Sequence, residues 1–243
     1  MAAAAAHASS LSCVGVPAGG TTTLEVKTGP GWKYIYDTAT PPADVNGAGW
    51  SAVRASNCVS GPPCHGGWGA ISNPALGGAQ WIAPSPLTGN ATDEFSYASP
   101  AIHVDSNVNL STLSMQVFGI ADDYYDSTGV INGSPLTLHQ DNVYQAALSI
   151  AAGPGTRNFA AGSAPMTSWQ HGVNYIFART SNLDPTFDFT GWPTGWLAKY
   201  TLTATCTATT AVPAVPANHP LALTLGALAL AGLAGLKLRP RQA

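Results

Sequence analysis

Charged side chains are scarce in this chain of 243 residues. They make up 9% of the sequence, and only nine of them are basic. Three of those nine, Lys237, Arg239 and Arg241, lie at the extreme C-terminus, so 12 acidic residues face six basic ones in the rest of the chain. No basic stripe remains that could follow a phosphate backbone, which excludes nucleic acid as a partner.

Motifs of common enzymes are also absent. The chain contains no G-x-S-x-G elbow, no H-E-x-x-H and no P-loop. Its only glutamates are Glu25 and Glu94, and no pair of carboxylates is singled out for the two roles that glycoside hydrolysis requires. The sequence therefore predicts a protein that is not an enzyme, with a glycan hydrolase as the least favoured alternative.

Glycine, proline, serine and threonine are abundant instead, and 45% of the chain is apolar, which is enough for a substantial core. Alternation with period two indicates half-buried strands. It is clearest in LAKYTLTATC, which places Ala198, Tyr200, Leu202, Ala204 and Cys206 on one face and Lys199, Thr201, Thr203 and Thr205 on the other. Further strands are predicted at TLEVK, KYIY, AQWI, AIHVD, LSMQVF, VYQAALSI and VNYIFART. The fold class predicted is all-β, an antiparallel β-sandwich or jelly roll over residues 9–207, followed by a single C-terminal apolar helix.

The first eight residues are interpreted as the remnant of a signal peptide. Ala6, His7 and Ala8 fit the small-x-small pattern that precedes a cleavage site, and Ser9 would then begin the mature chain. A disordered alanine-rich N-terminus is the alternative.

The C-terminal end has three parts. Residues 208–217 are a Thr/Pro spacer, which should be extended and exposed. Residues 218–243 follow as a membrane-sorting tail, with a helix at about 220–238 that contains the uncharged run 221–236. Basic residues after the run can snorkel and favour a cytoplasmic C-terminus.

This arrangement resembles the C-terminal sorting tails of Gram-negative surface proteins, the PEP-CTERM and IPTL-CTERM class. The residues that support the resemblance are Val215, Pro216, Pro220, Lys237, Arg239 and Arg241. The resemblance implies a precursor anchored in the inner membrane of a Gram-negative bacterium. It also implies a membrane-embedded sorting protease as a partner, and a final location at the cell surface or outside the cell. A plain single-pass anchor is the alternative.

The order of features from about residue 79 to residue 205 resembles the galactose-binding-like jelly roll, which is similar to carbohydrate-binding modules. The matching residues are Asp122, Asp123, Asn132, Gly133, Gly172, Asn174, Thr194 and Gly195. This resemblance implies a jelly-roll fold and a polysaccharide ligand.

Four cysteines in an exported chain predict two disulfides, and four cysteines allow three pairings. The short loop between Cys58 and Cys64 favours a bond between them, and a bond between Cys13 and Cys206 would then join the two ends of the domain. A zinc site formed by Cys58, Cys64 and His65 is less favoured, because the spacing is wrong for a ligand pair.

The strongest cluster of polar residues is the run Asp122-Asp123-Tyr124-Tyr125-Asp126. Three interpretations remain open. The carboxylates of Asp122, Asp123 and Asp126 are suited to a structural calcium ion, the cofactor that the sequence favours. Tyr124 and Tyr125 could contact a sugar. The run could also be an Asp-rich turn at the end of a strand.

Seven tryptophans are many for this length. Trp81 and Trp196 lie in or beside apolar strands and are predicted to be core residues. Trp50, Trp68 and Trp192 lie in Gly/Pro-rich segments, where they either stack on a sugar or cover the ends of the sandwich.

Together these features predict a non-catalytic cell-surface or extracellular-matrix protein that binds polysaccharide through its jelly-roll module. The alternative is a structural surface or biofilm protein that contacts other proteins and binds no sugar.

Overall fold

Two β-sheets make up the folded body in a computed structural model of the chain. The structure describes residues 9–36, 41–56, 76–84, 94–122, 124–134, 136, 138–140, 154–181 and 195–207. The chain divides into a unit of residues 1–207 and a unit of residues 208–243, and every described residue belongs to the first. Among the described residues there is no α-helix, and no helix is long and apolar enough to cross a membrane.

Strands joined by turns, loops and short 3-10 segments make up the described residues. In chain order they are β1 (Ser9–Leu11), β2 (Thr21–Lys27), β3 (Lys33–Tyr36), β4 (Ser51–Ala52), β5 (Arg54–Ser56), β6 (Trp81–Ala83), β7 (Glu94–Ala98), β8 (Ile102–Val104), β9 (Ser114–Asp122), β10 (Tyr124–Ile131), β11 (His139–Gln140), β12 (Gly155–Phe159), β13 (Gly172–Ser181) and β14 (Gly195–Thr205). The prediction of an all-β fold is confirmed for the part of the chain that the structure describes. The predicted strand at 143–150, the bond between Cys58 and Cys64, and the C-terminal helix lie outside it.

The first sheet has eight strands in the order β1-β8-β13-β7-β3-β4, with β10 on the other side of β13 and β11 beyond β10. Strands β7 and β8 pair with the same edge of β13, and Pro100 lies in the short segment between them. The Ser99 hydroxyl accepts a hydrogen bond from the Ile176 amide at 2.9 Å, which maintains the link to β13 next to the proline.

The second sheet has six strands in the order β12-β9-β14-β6-β5, and β2 also pairs with β14. Strand β14 is central because it pairs with β9 along one edge and with β2 and β6 along the other. The inward face that the alternation predicts for it is confirmed, since all five predicted residues are buried.

Aromatic side chains fill the space between the two sheets. Trp196 stacks on Tyr125 with the ring centroids 5.0 Å apart, and Trp32 stacks on Tyr200 at 5.8 Å. The Trp196 indole N–H donates to the Tyr200 hydroxyl at 2.9 Å, so its one polar group is paired inside the core. Burial raises the pKa of the Tyr200 hydroxyl above its ordinary value, which keeps this pair uncharged.

A disulfide closes the body between Cys13 and Cys206, as predicted. Backbone hydrogen bonds link the same two segments next to the disulfide. The Cys206 amide donates to the Gly20 carbonyl, and the Gly19 amide donates to the Cys206 carbonyl, each at 2.8 Å. The Thr207 amide donates to the Asn107 carbonyl at 2.8 Å. The two ends of the described body therefore meet at one point.

Candidate functional site

Two of the predicted sugar-contacting rings are buried, so the prediction that they face a ligand is wrong. Trp50 is 8% exposed, and its indole N–H donates to the Pro42 carbonyl at 3.1 Å. It packs with Val45 and Phe177 against the outer face of the eight-stranded sheet. Tyr125 is 4% exposed because its ring stacks on Trp196 inside the sandwich. Trp68, Trp192 and the side chain of Tyr124 lie outside the described residues.

All the tryptophans that the structure describes are buried. They are Trp32, Trp50, Trp81, Trp169 and Trp196. The prediction that Trp81 and Trp196 are core residues is confirmed. The high tryptophan content therefore largely reflects packing, and these rings offer no exposed surface to a sugar.

The Asp-rich run lies where one strand ends and the next begins, as the interpretation of a turn at a strand end predicts in part. Strand β9 ends at Asp122, which pairs with Gly195 of the six-stranded sheet. Strand β10 begins at Tyr124, which pairs with Ser181 of the eight-stranded sheet. The run is thus the point at which the chain passes from one sheet to the other. No group of three or more acidic, histidine or cysteine side chains that could hold a metal occurs among the described residues, and the side chains of Asp123 and Asp126 are not among these.

Asn132 and Asn174, two of the residues that support the jelly-roll resemblance, lie in contact with each other. The Asn132 amide donates to the Asn174 side-chain oxygen at 3.0 Å, and the Asn174 amide donates to the Gln170 carbonyl at 2.8 Å. Gly133 and Gly172 both adopt a positive φ, 85° and 93°, that favours glycine. These residues hold the end of β10 against the start of β13, so their hydrogen bonds contribute to the fold.

A continuous exposed surface lies on the outer side of the six-stranded sheet. We call it the polar face, and it comprises the outward side chains of β2, β14, β9 and β12. They are Thr21, Thr23, Glu25 and Lys27; Lys199, Thr201, Thr203 and Thr205; Ser114, Gln116 and Phe118; and Thr156 and Asn158. All are exposed or half-buried. Most of their alternate neighbours are buried residues of the core, with Leu24 and Arg157 half-buried, so the period of the strands creates the face.

Pairing between the strands arranges these side chains in rows. One row runs Asn158, Gln116, Thr201 and Glu25 across β12, β9, β14 and β2. The next row, two residues along, runs Thr156, Phe118, Lys199 and Lys27. At the usual strand spacing each row is about 14 Å wide, and the two rows are about 7 Å apart.

Phe118 is the only aromatic residue of the polar face. It is half-buried, and it packs against an apolar cluster that includes Trp81, Ile120 and Leu197 and occupies the adjoining part of the same sheet surface. The cluster thereby supports the ring, and Phe118 as a whole keeps an intermediate exposure at the edge of the cluster.

Polar contacts order the groups around Phe118. The Gln116 side-chain amide donates to the Asn158 side-chain oxygen at 2.9 Å. A side-chain amide has two N–H donors and an oxygen with two lone pairs, so one mutual bond leaves both residues with further capacity.

The charges of the polar face are paired with one another. The Glu25 carboxylate lies 3.3 Å from the Lys199 ammonium and 3.5 Å from that of Lys27, which also donates to the Gly77 carbonyl at 2.8 Å. The hydrogen bond from Lys199 lowers the pKa of the Glu25 carboxyl. The face consequently has no region of a single strong charge.

The polar face is not among the sites that the sequence predicts, because the predicted sugar-contacting rings all lie in segments interpreted as loops. Its signal is the polar side of the alternation in TLEVK and LAKYTLTATC, which indicates an exposed sheet surface. The partial exposure of Phe118 has no such signal, because it depends on where the apolar cluster beside it ends.

Comparisons with known proteins assign no family. No protein-family model matches the chain, and no curated protein sequence matches it either.

Proposed function

We propose that this is an exported, non-catalytic protein of the cell surface or extracellular matrix whose jelly-roll sandwich binds polysaccharide. The observation on which the binding function rests is the polar face, a broad exposed sheet surface of hydroxyl and amide groups with one supported aromatic ring. Such a surface suits a ligand that combines many hydroxyl groups with weakly apolar ring faces.

Export is supported by the bond between Cys13 and Cys206, since disulfides form and persist mainly outside the cytosol. The proposed sorting tail is compatible with the folded body, because the last described strand ends at Thr205. A cut between Thr207 and Pro220 would remove no described strand. In this proposal a membrane-embedded protease of a Gram-negative inner membrane makes that cut.

A structural surface or biofilm protein that binds no sugar is the second candidate. The observation that favours it is the burial of every tryptophan that the structure describes. A structural calcium ion at Asp122, Asp123 and Asp126 stays a prediction, as does the absence of catalysis.

Two measurements test this proposal. The full chain is expressed with a signal peptide in a Gram-negative host, and intact mass is measured on the membrane and medium fractions. A released form that ends between Thr207 and His219 is expected, and a chain found only in the membrane with Lys237 retained would contradict processing. Retention of the released form on insoluble polysaccharides is expected, and its absence would favour the structural alternative.

A further inference from the structure

We propose that the polar face binds an extended, uncharged polysaccharide, with Phe118 stacking on a sugar ring and the side-chain amides of Gln116 and Asn158 bonding its hydroxyl groups. This inference rests on the proposed polysaccharide-binding function and assigns it a site and a class of ligand. The site lies on a sheet surface, away from the loop tryptophans and the Asp-rich run.

Phe118 is suited to stacking because it is held in place. Its contact with the apolar cluster of Trp81, Ile120 and Leu197 limits its freedom, so little entropy is lost when a ligand binds. Its neighbours across the row are Thr156 and Lys199, whose side chains border the ring with polar groups. A flat apolar surface within a polar rim is the arrangement that a sugar ring requires.

The two amides lie within reach of a ligand on that ring. Gln116 precedes Phe118 by two residues on β9, so it projects from the same face about 7 Å away, and Asn158 lies beside it on β12. Each amide offers both a donor and an acceptor, which matches a hydroxyl group that can act as either. A sugar unit on Phe118 therefore has hydrogen-bonding groups beside it.

The charge pattern selects an uncharged ligand. Both lysines of the polar face are engaged with Glu25, and the face has a net charge of about one positive unit at neutral pH. A polyanion would need unpaired cations, and a protein partner would need a larger apolar centre than one phenylalanine. Hydroxyl groups extend the surface past the amides through the pairs of Thr203 with Thr23 and of Thr205 with Thr21, which favours a chain of several sugar units over a single one.

The test is affinity electrophoresis of the full chain, purified in a mild detergent, through native gels that contain a soluble polysaccharide. The uncharged probes are barley β-glucan, galactomannan, mannan and dextran, and alginate is the acidic probe. At least one uncharged polysaccharide should retard the wild-type chain, and the corresponding monosaccharides should not compete at millimolar concentration.

Variants then locate the site. Phe118→Leu keeps the apolar contact with the cluster and removes the ring, and it should weaken binding at least tenfold, whereas Phe118→Tyr should retain it. The double variant Gln116→Ala/Asn158→Ala should bind the polysaccharide several-fold more weakly than wild type. Tyr36→Ala is the matched control: it removes a ring that is 48% exposed but lies in the other sheet, and it should bind like wild type. Unchanged thermal unfolding of each variant excludes misfolding as the cause.

The outcomes separate the two proposals. If binding persists in Phe118→Leu and in the double amide variant, the proposed site on the polar face is wrong, but the proposed polysaccharide-binding function is not contradicted. Retardation by alginate alone overturns the uncharged ligand. A wild-type chain that no polysaccharide retards overturns both the site and the proposed binding function.

Discussion

Loss of the bond between Cys13 and Cys206 should be the most costly single covalent change to the described body. The two cysteines are 193 residues apart, so the cross-link confines nearly the whole unfolded chain. In the chain-entropy model a loop of that length contributes about 5 kcal/mol to the free energy of unfolding. For a domain of this size we expect the melting temperature to fall by roughly 10–20 °C.

The folded state should change little when the bond is absent. The backbone hydrogen bonds of Cys206 to Gly19 and Gly20, and the short pairing of Cys206 with Val108, hold the same strands together without it. The effect should therefore appear through the unfolded chain, which becomes more expanded. An increase in the urea m-value should accompany the lower midpoint, because more surface is exposed on unfolding.

Urea unfolding, followed by tryptophan fluorescence, measures this effect in a background in which Cys58 and Cys64 are replaced by serine. Three samples are compared: the oxidised protein, the same protein in reductant, and the double variant Cys13→Ala/Cys206→Ala. The reduced protein and the double variant should nearly coincide, and the double variant should not respond to reductant. A difference of less than about 1 kcal/mol between oxidised and reduced protein would refute the argument that the cross-link acts on the unfolded chain.

Three further changes probe the core and the polar face. Gly119→Ala places a Cβ 2.7 Å from the Leu197 carbonyl oxygen in the centre of the second sheet, and urea unfolding should show a loss of about 1–3 kcal/mol, while Gly29→Ala, whose Cβ would have ordinary contacts, should lose less than about 0.5 kcal/mol. Tyr200→Phe leaves the buried Trp196 indole N–H without its acceptor and should cost about 1–3 kcal/mol in the same assay; wild-type stability would show that this hydrogen bond is dispensable. The lowered pKa of Glu25 means that its ionised form contributes stability above its usual value of 4.5, which is lost as the pH falls through the lower folded value. Glu25→Gln should therefore be at most about 1 kcal/mol less stable than wild type at pH 7, and the difference should shrink as the pH is lowered below 4.5; a difference that stays constant would contradict the ion-pair account.

The central strand could be predicted because its pattern is local. Four inward residues of β14, from Ala198 to Ala204, alternate with Lys199 and three threonines, and such a pattern is typical of a strand with one buried face. The cysteine at its end then has one obvious distant partner near the start of the domain. The strand and the disulfide could therefore both be predicted from the sequence.

Strand β10 could not be predicted, because it contradicts local preference. Its segment YYDSTGVI contains aspartate, serine and glycine, which mark turns, yet Ser127 and Thr128 are completely buried. Pairing with β13 along seven positions overrides those preferences. The prediction that Trp50 is exposed was wrong for a related reason. The loop that contains Trp50 folds back onto the sheet, and the neighbouring glycines do not indicate that contact.

The meeting of the two chain ends at Cys13 and Cys206 also determines how the body responds to force. A pull applied before Cys13 and after Cys206 passes from one cysteine to the other through the sulfur atoms, and the sheets between them carry no tension. The described strands that lie between the cysteines are thus shielded from stretching along the backbone.

A load applied sideways takes another route. If a polysaccharide is held on the polar face and the chain is anchored beyond Thr207, the load enters at β9 and β12 and leaves along β14. Strand β14 pairs with β9 over nine positions, Gly195 to Thr203, so those hydrogen bonds would share the load in shear instead of opening one after another. Under such a load the nine paired positions of β14 and β9 would resist separation together.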